Sequence, residues 1–331
     1  MEHLLRLSNL FLLQDRKNLL AFSAGVDSSA LFFLLQENNI SFDIALINYG
    51  MRKQSEEEER YAIDLAQKYN LKSYITKAPS FSSNFEKNAR DFRYSFFDKL
   101  MEEHNYENLI TAHQLNDQLE WFLMRLTKGA GTSELLGLES ISKRKEYTLI
   151  RPILHHSKDE LMNYLDENGY RYFIDESNSD EKYERNYFRN NFSDKLIEKY
   201  KNGIQKSFEY LQIDKEVLLS GYREVFNHKE LYILEIDNHM IISRVVDKYL
   251  KKLGYLLSSA QRAELANENS MVFGGLWAVE IVEDKIYIAP YLKEVMPKKF
   301  KEACRIAKIP SKVRGYYYHK RLEPKKVSQL Y

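Results

Sequence analysis

The chain has 331 residues, 44% of them hydrophobic and 29% charged, with 12 glycines and 6 prolines, a make-up that excludes fibrous, linker-rich and extensively disordered architectures and predicts two or three compact units. One cysteine, Cys304, excludes an intramolecular disulfide and any zinc or iron–sulfur site built from thiolates. The net charge of +1 hides an asymmetry: Glu56 to Glu59 is an unbroken acidic run, while Lys293 to Lys326 holds twelve Lys/Arg against three Asp/Glu, and local charge is what a polyanion feels.

In chain order, the apolar stretch from Leu4 to Leu13 is interrupted by Arg6, Ser8 and Asn9, which fits neither a signal peptide nor a membrane span, so a cytoplasmic protein is expected. Asn18 to Phe22 reads as a strand, Ser23-Ala24-Gly25-Val26-Asp27-Ser28 as a tight turn and Ser29 to Gln36 as a helix. Phe42–Ile47 and Lys72–Thr76 are further strands, separated by a helix over Ser55–Tyr69 with Tyr61, Leu65 and Tyr69 spaced by four. A helix over Asn88–Glu103, a strand over Asn108–Ala112 and a helix over Leu115–Leu126, stopped by Lys128-Gly129-Ala130-Gly131, repeat the pattern. Strands alternating with helices imply a parallel sheet covered on both faces.

From Ile150 the alternation weakens into a helix after Ser157, an aromatic stretch Tyr170–Ile174 and a carboxylate-rich loop before Arg185. Ile204–Phe226 reads as a connecting helix or helix pair, Val245–Leu253 and Ala260–Asn267 as helices, and Trp277–Val282 with Ile286–Ala289 as a hairpin. The expected division is residues 1–202 for the nucleotide-binding domain, 203–292 for connecting helices and a small α+β domain, and 293–331 for a basic RNA-binding segment.

A serine- and glycine-containing turn between a first strand and a first helix brings backbone N–H groups and a helix N-terminus to one point, which suits a phosphate. The segment lacks the Gly-Lys-Ser/Thr of a Walker loop and the three glycines of a dinucleotide fingerprint. It resembles the Ser-Gly-Gly-x-Asp-Ser pyrophosphate loop of the PP-loop, or N-type ATP pyrophosphatase, superfamily. Ser23, Gly25, Asp27 and Ser28 match, and Ala24 replaces the first glycine, at a strain of roughly 1–2 kcal/mol if φ is positive there. His113-Gln114-Leu115-Asn116-Asp117-Gln118-Leu119-Glu120 resembles the His-x-x-Asp-Asp-Gln-x-Glu segment of the lysidine synthetases, with Asn116 for the first aspartate and Trp121 for the usual threonine. Asp117 and Glu120, three apart, share a helix face where two carboxylates can hold Mg²⁺ or an ammonium.

Three more stretches carry the same resemblance. Asn48-Tyr49-Gly50-Met51-Arg52 resembles Asp-His-Gly-Leu-Arg, and Ala89-Arg90-Asp91-Phe92-Arg93-Tyr94 resembles Ala-Arg-x-x-Arg-Tyr. Lys128-Gly129-Ala130-Gly131 with Leu136-Gly137-Leu138 resembles an Arg-Gly-x-Gly turn before a Gly-Leu pair. The most specific run is Arg151-Pro152-Ile153-Leu154, Asp175-Glu176-Ser177-Asn178 and Arg185-Asn186-Tyr187-Phe188-Arg189, which resembles the lysidine synthetase signature in the same order.

The resemblance covers roughly residues 18 to 192. It implies an adenine-nucleotide alpha-hydrolase-like α/β domain followed by a smaller α+β region, with ATP and Mg²⁺ as cofactors and L-lysine and tRNA(Ile) with a CAU anticodon as partners. No membrane partner is expected, and a homodimer is compatible with it. It implies that Ser23, Ala24, Gly25, Val26, Asp27 and Ser28 hold phosphates, and that Asp27 and Asp117 share the metal. Asp27, His113, Asp117, Glu120, Arg93, Arg185 and Arg189 are then the catalytic set. The arginines are permanently charged forks suited to phosphate. Two rivals share the fold: a tRNA thiolase, disfavoured by the single cysteine, and a non-catalytic RNA-binding protein, for which Ala24, Asn48 and Asn116 are the only hints. The tail from Pro297 to Tyr318, basic and aromatic, suits an RNA backbone with stacked bases, and adjacent His155 and His156 read as structural.

Overall fold

The computed structural model describes residues 5–50, 54–81, 83–174, 184–265 and 267–325, and the chain divides into two compact units, residues 1–210 and 211–331.

The first unit opens with β1 (Asn18–Ala21), α1 (Val26–Glu37), β2 (Phe42–Asn48), α2 (Ser55–Lys68), β3 (Ser73–Lys77), α3 (Phe85–His104) and β4 (Asn108–Ile110). It continues through α4 (Leu115–Leu126), α5 (Thr132–Leu135), the hairpin of β5 (Ile141–Arg144) and β6 (Tyr147–Ile150), α6 (Lys158–Glu167) and α7 (Glu184–Phe188). A π-helical turn over Arg189–Ser193 then leads into α8 (Asp194–Leu219), which is kinked at Tyr200 and carries the boundary between the units. The sheet order is β3-β2-β1-β4-β6-β5, parallel except for β5.

Adjacent residues on each strand face opposite sides of the sheet, and the chain uses both sides. Leu20, Ile44, Ile110 and Ile150 pack with α1, α2 and α6, while their neighbours Leu19, Ala45, Leu109 and Leu149 pack with Tyr94, Phe97, Leu100 and Met101 of α3. Helix α1 is apolar on nearly every side, with Ala30 through Leu35 all buried, as a helix enclosed between a sheet and an outer helix must be.

The second unit contains β7 (Tyr222–His228), β8 (Leu231–Ile236), α9 (Ile242–Lys252), α10 (Ser259–Glu264), β9 (Ser270–Phe273), β10 (Trp277–Val282), β11 (Lys285–Pro290), α11 (Lys298–Ile306) and α12 (Arg314–His319). Its antiparallel sheet runs β7-β8-β11-β10-β9. Val245, Val246 and Leu250 of α9 cover one face. The basic tail covers the other, through Cys304, Ile309, Val313, Tyr316 and Tyr317. Tyr316 and Tyr317 are therefore core residues, and only Tyr318 of that trio keeps an exposed ring.

Three expectations need correction. The helix expected over Ile204–Phe226 ends at Leu219, because Ser220-Gly221 interrupts it and Tyr222 begins β7. The helix expected to reach Asn267 stops at Glu264. Strands β5, β6, β8 and β9 were not anticipated. The expected Asp175-Glu176-Ser177-Asn178 motif, and Met51 and Arg52, lie outside the described residues.

Candidate active site

In the first unit the chain goes from β1 to β2 and β3 on one side and then to β4 on the other side of β1. This reversal opens a crevice at the carboxyl ends of β1 and β4, the place where open α/β sheets bind ligands. A cavity of about 1000 Å³ lies there, with the turn after β1 on one wall and Thr111, Ala112 and His113 after β4 on the other.

The turn after β1 is held closed by its own hydroxyls. Ser28 Oγ accepts from the Ser23 backbone N–H at 3.2 Å, lies 3.1 Å from Ser23 Oγ, and donates to the Gly25 carbonyl at 3.2 Å. Ala24 adopts φ +61°, the left-handed region that costs a residue with a Cβ about 1–2 kcal/mol. Its carbonyl accepts the Phe173 N–H at 2.9 Å, tying the turn to the aromatic stretch before α7. Asp27, in the first turn of α1, keeps an edge open to the cavity, but its Oδ1 is enclosed with no hydrogen-bond partner among the described residues. Burial, reinforced by the neighbouring Asp117 carboxylate, pushes its pKa up to about 7 against the pull of Lys158 and Arg189.

Across the crevice, the backbone N–H of Gln114 donates to Asp117 Oδ2 at 3.1 Å and the Gln114 side chain accepts from Asn116 N–H at 2.5 Å, a reciprocal cap that starts α4. Arg185, on α7, donates to Asp117 Oδ1, and its Nε donates to Glu120 Oε2 at 2.7 Å. Arg189 donates from Nε to Glu120 Oε1 at 2.6 Å and from Nη2 to Oε2 at 3.1 Å. Two carboxylates and two guanidiniums thus form one balanced cluster. Burial opposes the charge on Asp117, yet Arg185 holds its pKa below the ordinary value, while burial and the adjacent Asp117 raise that of Glu120. For either carboxylate to take another cation, an arginine must swing away. His113 stands 3.0 Å, through Nδ1, from Thr111 Oγ1, and burial pushes its pKa down to about 3, so the imidazole is neutral at any working pH.

Both asparagines that depart from the motifs have a physical reason. Asn48 donates to Glu59 Oε2 at 2.8 Å and accepts the Gly50 N–H at 2.8 Å. Asn116 donates to Asp194 Oδ1 at 2.7 Å and accepts the Lys158 backbone N–H at 3.2 Å. An aspartate at either position would oppose a carboxylate with a carboxylate, whereas the amide supplies the donor. On the β2 side, Arg93 donates to the Tyr49 hydroxyl at 3.1 Å.

Of the residues singled out from sequence, Ser23, Gly25, Val26, Asp27, Ser28, Arg93, His113, Asp117, Arg185 and Arg189 line this one cavity. Ala24 does not, because its side chain is turned into the core, and Glu120 is fully buried behind the wall, where it anchors the two arginines. Tyr49, which the sequence marks only as part of the Asn48–Arg52 motif, lines the cavity too, as do Lys158 and Asp194, which sequence reasoning misses. The signal available for Lys158 was the Ser-x-x-Glu cap of Ser157 and Glu160, which places it first in α6.

The residues also fit a divalent cation. No group of three metal-binding side chains occurs among the described residues, but Mg²⁺ at a nucleotide needs only one or two carboxylates beside the phosphates. Asp27 offers an enclosed oxygen with no hydrogen-bond partner among the described residues, with Asp117 close enough to raise its pKa.

A phosphate-sized turn, a switch-point crevice and converging arginines define an ATP-using PP-loop enzyme, and the PP-loop domain family matches residues 2–196. A U34-tRNA thiolase from Methanococcus maripaludis shares the fold, with a TM-score of 0.50 and 18% identity over 62% of this chain and 75% of that one. Relatives over nearly the whole length are more specific. A tRNA(Ile)-lysidine synthase of Campylobacter jejuni strain RM1221 is 48% identical over 95% of this chain and 96% of its own, and one of Helicobacter pylori strain 26695 is 40% identical over 92% and 90%. The chain belongs to the tRNA(Ile)-lysidine synthase family. None of the helices among the described residues is long and apolar enough to cross a membrane.

Proposed function

We propose that this enzyme joins L-lysine to C2 of cytidine 34 in the CAU anticodon of tRNA(Ile), in the cytoplasm. The C2 oxygen attacks the α-phosphorus of ATP, the bond to the β-phosphate breaks and pyrophosphate leaves. The lysine ε-amine, losing a proton, then attacks C2, and AMP departs with the oxygen. The observation that carries this reading is the convergence on one crevice of the Ser23–Ser28 turn with the Asp117, Glu120, Arg185 and Arg189 cluster.

The turn receives the phosphates. Arg93, Arg185 and Arg189 are fixed cations for charge that grows on phosphate oxygens in the transition state. When the arginines turn to phosphate, Glu120 is uncovered for the lysine ammonium and Asp117 for the metal. His113, neutral, hydrogen-bonds the nucleotide rather than taking a proton, since a base of pKa about 3 is poorly matched to an amine near pKa 10.4. Asp27 and Asp117 would hold Mg²⁺, which supplies charge neutralisation on the triphosphate.

A thiolase reading lacks a thiolate: Cys304 is the chain's only cysteine, sits in the hydrophobic core of the second unit, and burial pushes its pKa up. The non-catalytic reading loses two of its three hints, because Asn48 and Asn116 answer neighbouring carboxylates. The test is purified protein with ATP, Mg²⁺, tRNA(Ile)(CAU) and radiolabelled L-lysine. Label that survives mild alkali and maps to one cytidine, in wild type and in Cys304→Ser alike, is expected. No incorporation, or a folded but inactive Cys304→Ser, would overturn the assignment.

A further inference from the structure

Five cationic side chains line the cavity: Arg90, Arg93, Lys158, Arg185 and Arg189. Four have partners. Arg185 and Arg189 are bonded to Asp117 and Glu120, Arg93 leans on Tyr49, and Arg90 stacks 5.0 Å from the Tyr94 ring. Lys158 is different. Its backbone N–H is fixed by Asn116 Oδ1 at 3.2 Å, but its ammonium makes no ion pair, side-chain hydrogen bond or ring contact among the described residues.

The neighbour that feels this ammonium is Asp27, the carboxylate that follows the phosphate turn, and the attraction works against the burial that raises its pKa. Lys158 is a half-buried residue lining the same cavity as the phosphate turn, and it forms no ion pair with a carboxylate among the described residues. The phosphate turn itself offers hydroxyls, backbone N–H groups and one acid but no cationic side chain, so beside the metal a protein cation for the pyrophosphate has to come from outside the turn.

Resting on the lysidine synthase reading above, we infer that Lys158 binds the β,γ-phosphate end of ATP and holds the departing pyrophosphate. Asn116 is its positioning residue, pinning the first residue of α6 to the start of α4. This gives the asparagine a second duty: it bridges Asp194 to the backbone that presents Lys158. An ammonium is a compact point charge with rotatable donors, suited to following a phosphate group as it separates, whereas the arginine forks stay with the α-phosphate and its new ester.

The experiment uses the full chain as wild type, Lys158→Met, Lys158→Gln and Lys158→Arg. Pyrophosphate release is measured with ATP, Mg²⁺ and tRNA(Ile)(CAU) without lysine, together with inhibition by added inorganic pyrophosphate and by AMP. The expected result is a rise of tenfold or more in both KM for ATP and the inhibition constant for pyrophosphate in the two neutral variants. The AMP constant should stay within twofold, and Lys158→Arg should recover most of the loss. Unchanged pyrophosphate inhibition, or AMP weakened in parallel, would overturn the role of Lys158. So would neutral variants that melt below the assay temperature, since the side chain would then be part of the packing. If wild type itself releases no pyrophosphate with tRNA and ATP, the ligase reading fails instead.

Discussion

Asp27 should make the ligand-free protein less stable as the pH rises. Its ordinary pKa is 3.8, and in the folded chain burial and Asp117 raise it to about 7. Between these values the unfolded chain has released a proton that the folded chain still holds. The stability from this group is therefore fully present below about pH 4 and is lost progressively as the pH rises through about 7. A shift of some three units is worth about 4 kcal/mol at most, and about half that if water in the cavity screens the open edge of the carboxylate. Asp27→Asn keeps the shape and removes the charge. In buffer free of divalent cations, the two proteins should lose stability in parallel except for this term. The variant should gain on wild type between pH 4 and pH 8 by about 2–4 kcal/mol, on the order of 10 °C in melting temperature for a unit of this size. Pyrophosphate release should be abolished in the variant, and Mg²⁺ with ATP should raise the melting temperature of wild type only. Denaturation curves that stay parallel across the pH range would show that Asp27 is not the strained acid described above.

Three further outcomes follow from the geometry. Ala24→Gly should stabilise the first unit by about 0.5–1 kcal/mol in denaturant titrations by relieving the positive φ, with pyrophosphate release equal or higher; a tenfold loss would mean that the methyl group shapes the turn. Asn116→Asp should lower both stability and turnover by setting carboxylates against each other, and Asn116→Asp with Asp194→Asn should restore a donor and recover most of both. A double variant no better than the single one would break the proposed pairing. Gly315→Ala would place a Cβ 1.9 Å from the Leu292 carbonyl oxygen, so the tail should detach from its sheet at a cost of about 3 kcal/mol or more, read as exposure of Cys304 to a thiol reagent.

Much of the first unit is legible because its signals are local. Strands β1, β2 and β4 are short apolar runs, the middle of α1 from Ala30 to Leu35 is unbroken apolar sequence, and the turns after β1 and β4 are written in consecutive letters. The hairpin of β5 and β6 is not legible: Ile141–Ile150 includes Lys143, Arg144, Lys145 and Glu146, and it is fixed by the pairing of β6 with β4, distant in the chain, with β5 added outside β6. Strand β7 follows a 26-residue helix with only Ser220-Gly221 to mark the change, and that signal was there to be read. At the site, the sequence shows which residues gather but not how they pair. That Glu120 serves two arginines from behind the wall, and that Tyr316 and Tyr317 are claimed by the core, depends on contacts between residues distant in sequence.

Asn116 and Asp194 stand 78 positions apart and share one hydrogen bond; Asn48 and Glu59 stand 11 apart and share another. Each pair is a single unit of information spread over two letters. A motif scored one column at a time counts each asparagine as a defect. Scored as a pair, the donor and the acceptor are both present. In a relative that carries aspartate at the position of Asn116, the position of Asp194 is expected to hold a donor or a neutral group, so the two sites should drift together between species, and chimeras that cross from one relative to another between them should fail where intact parents succeed.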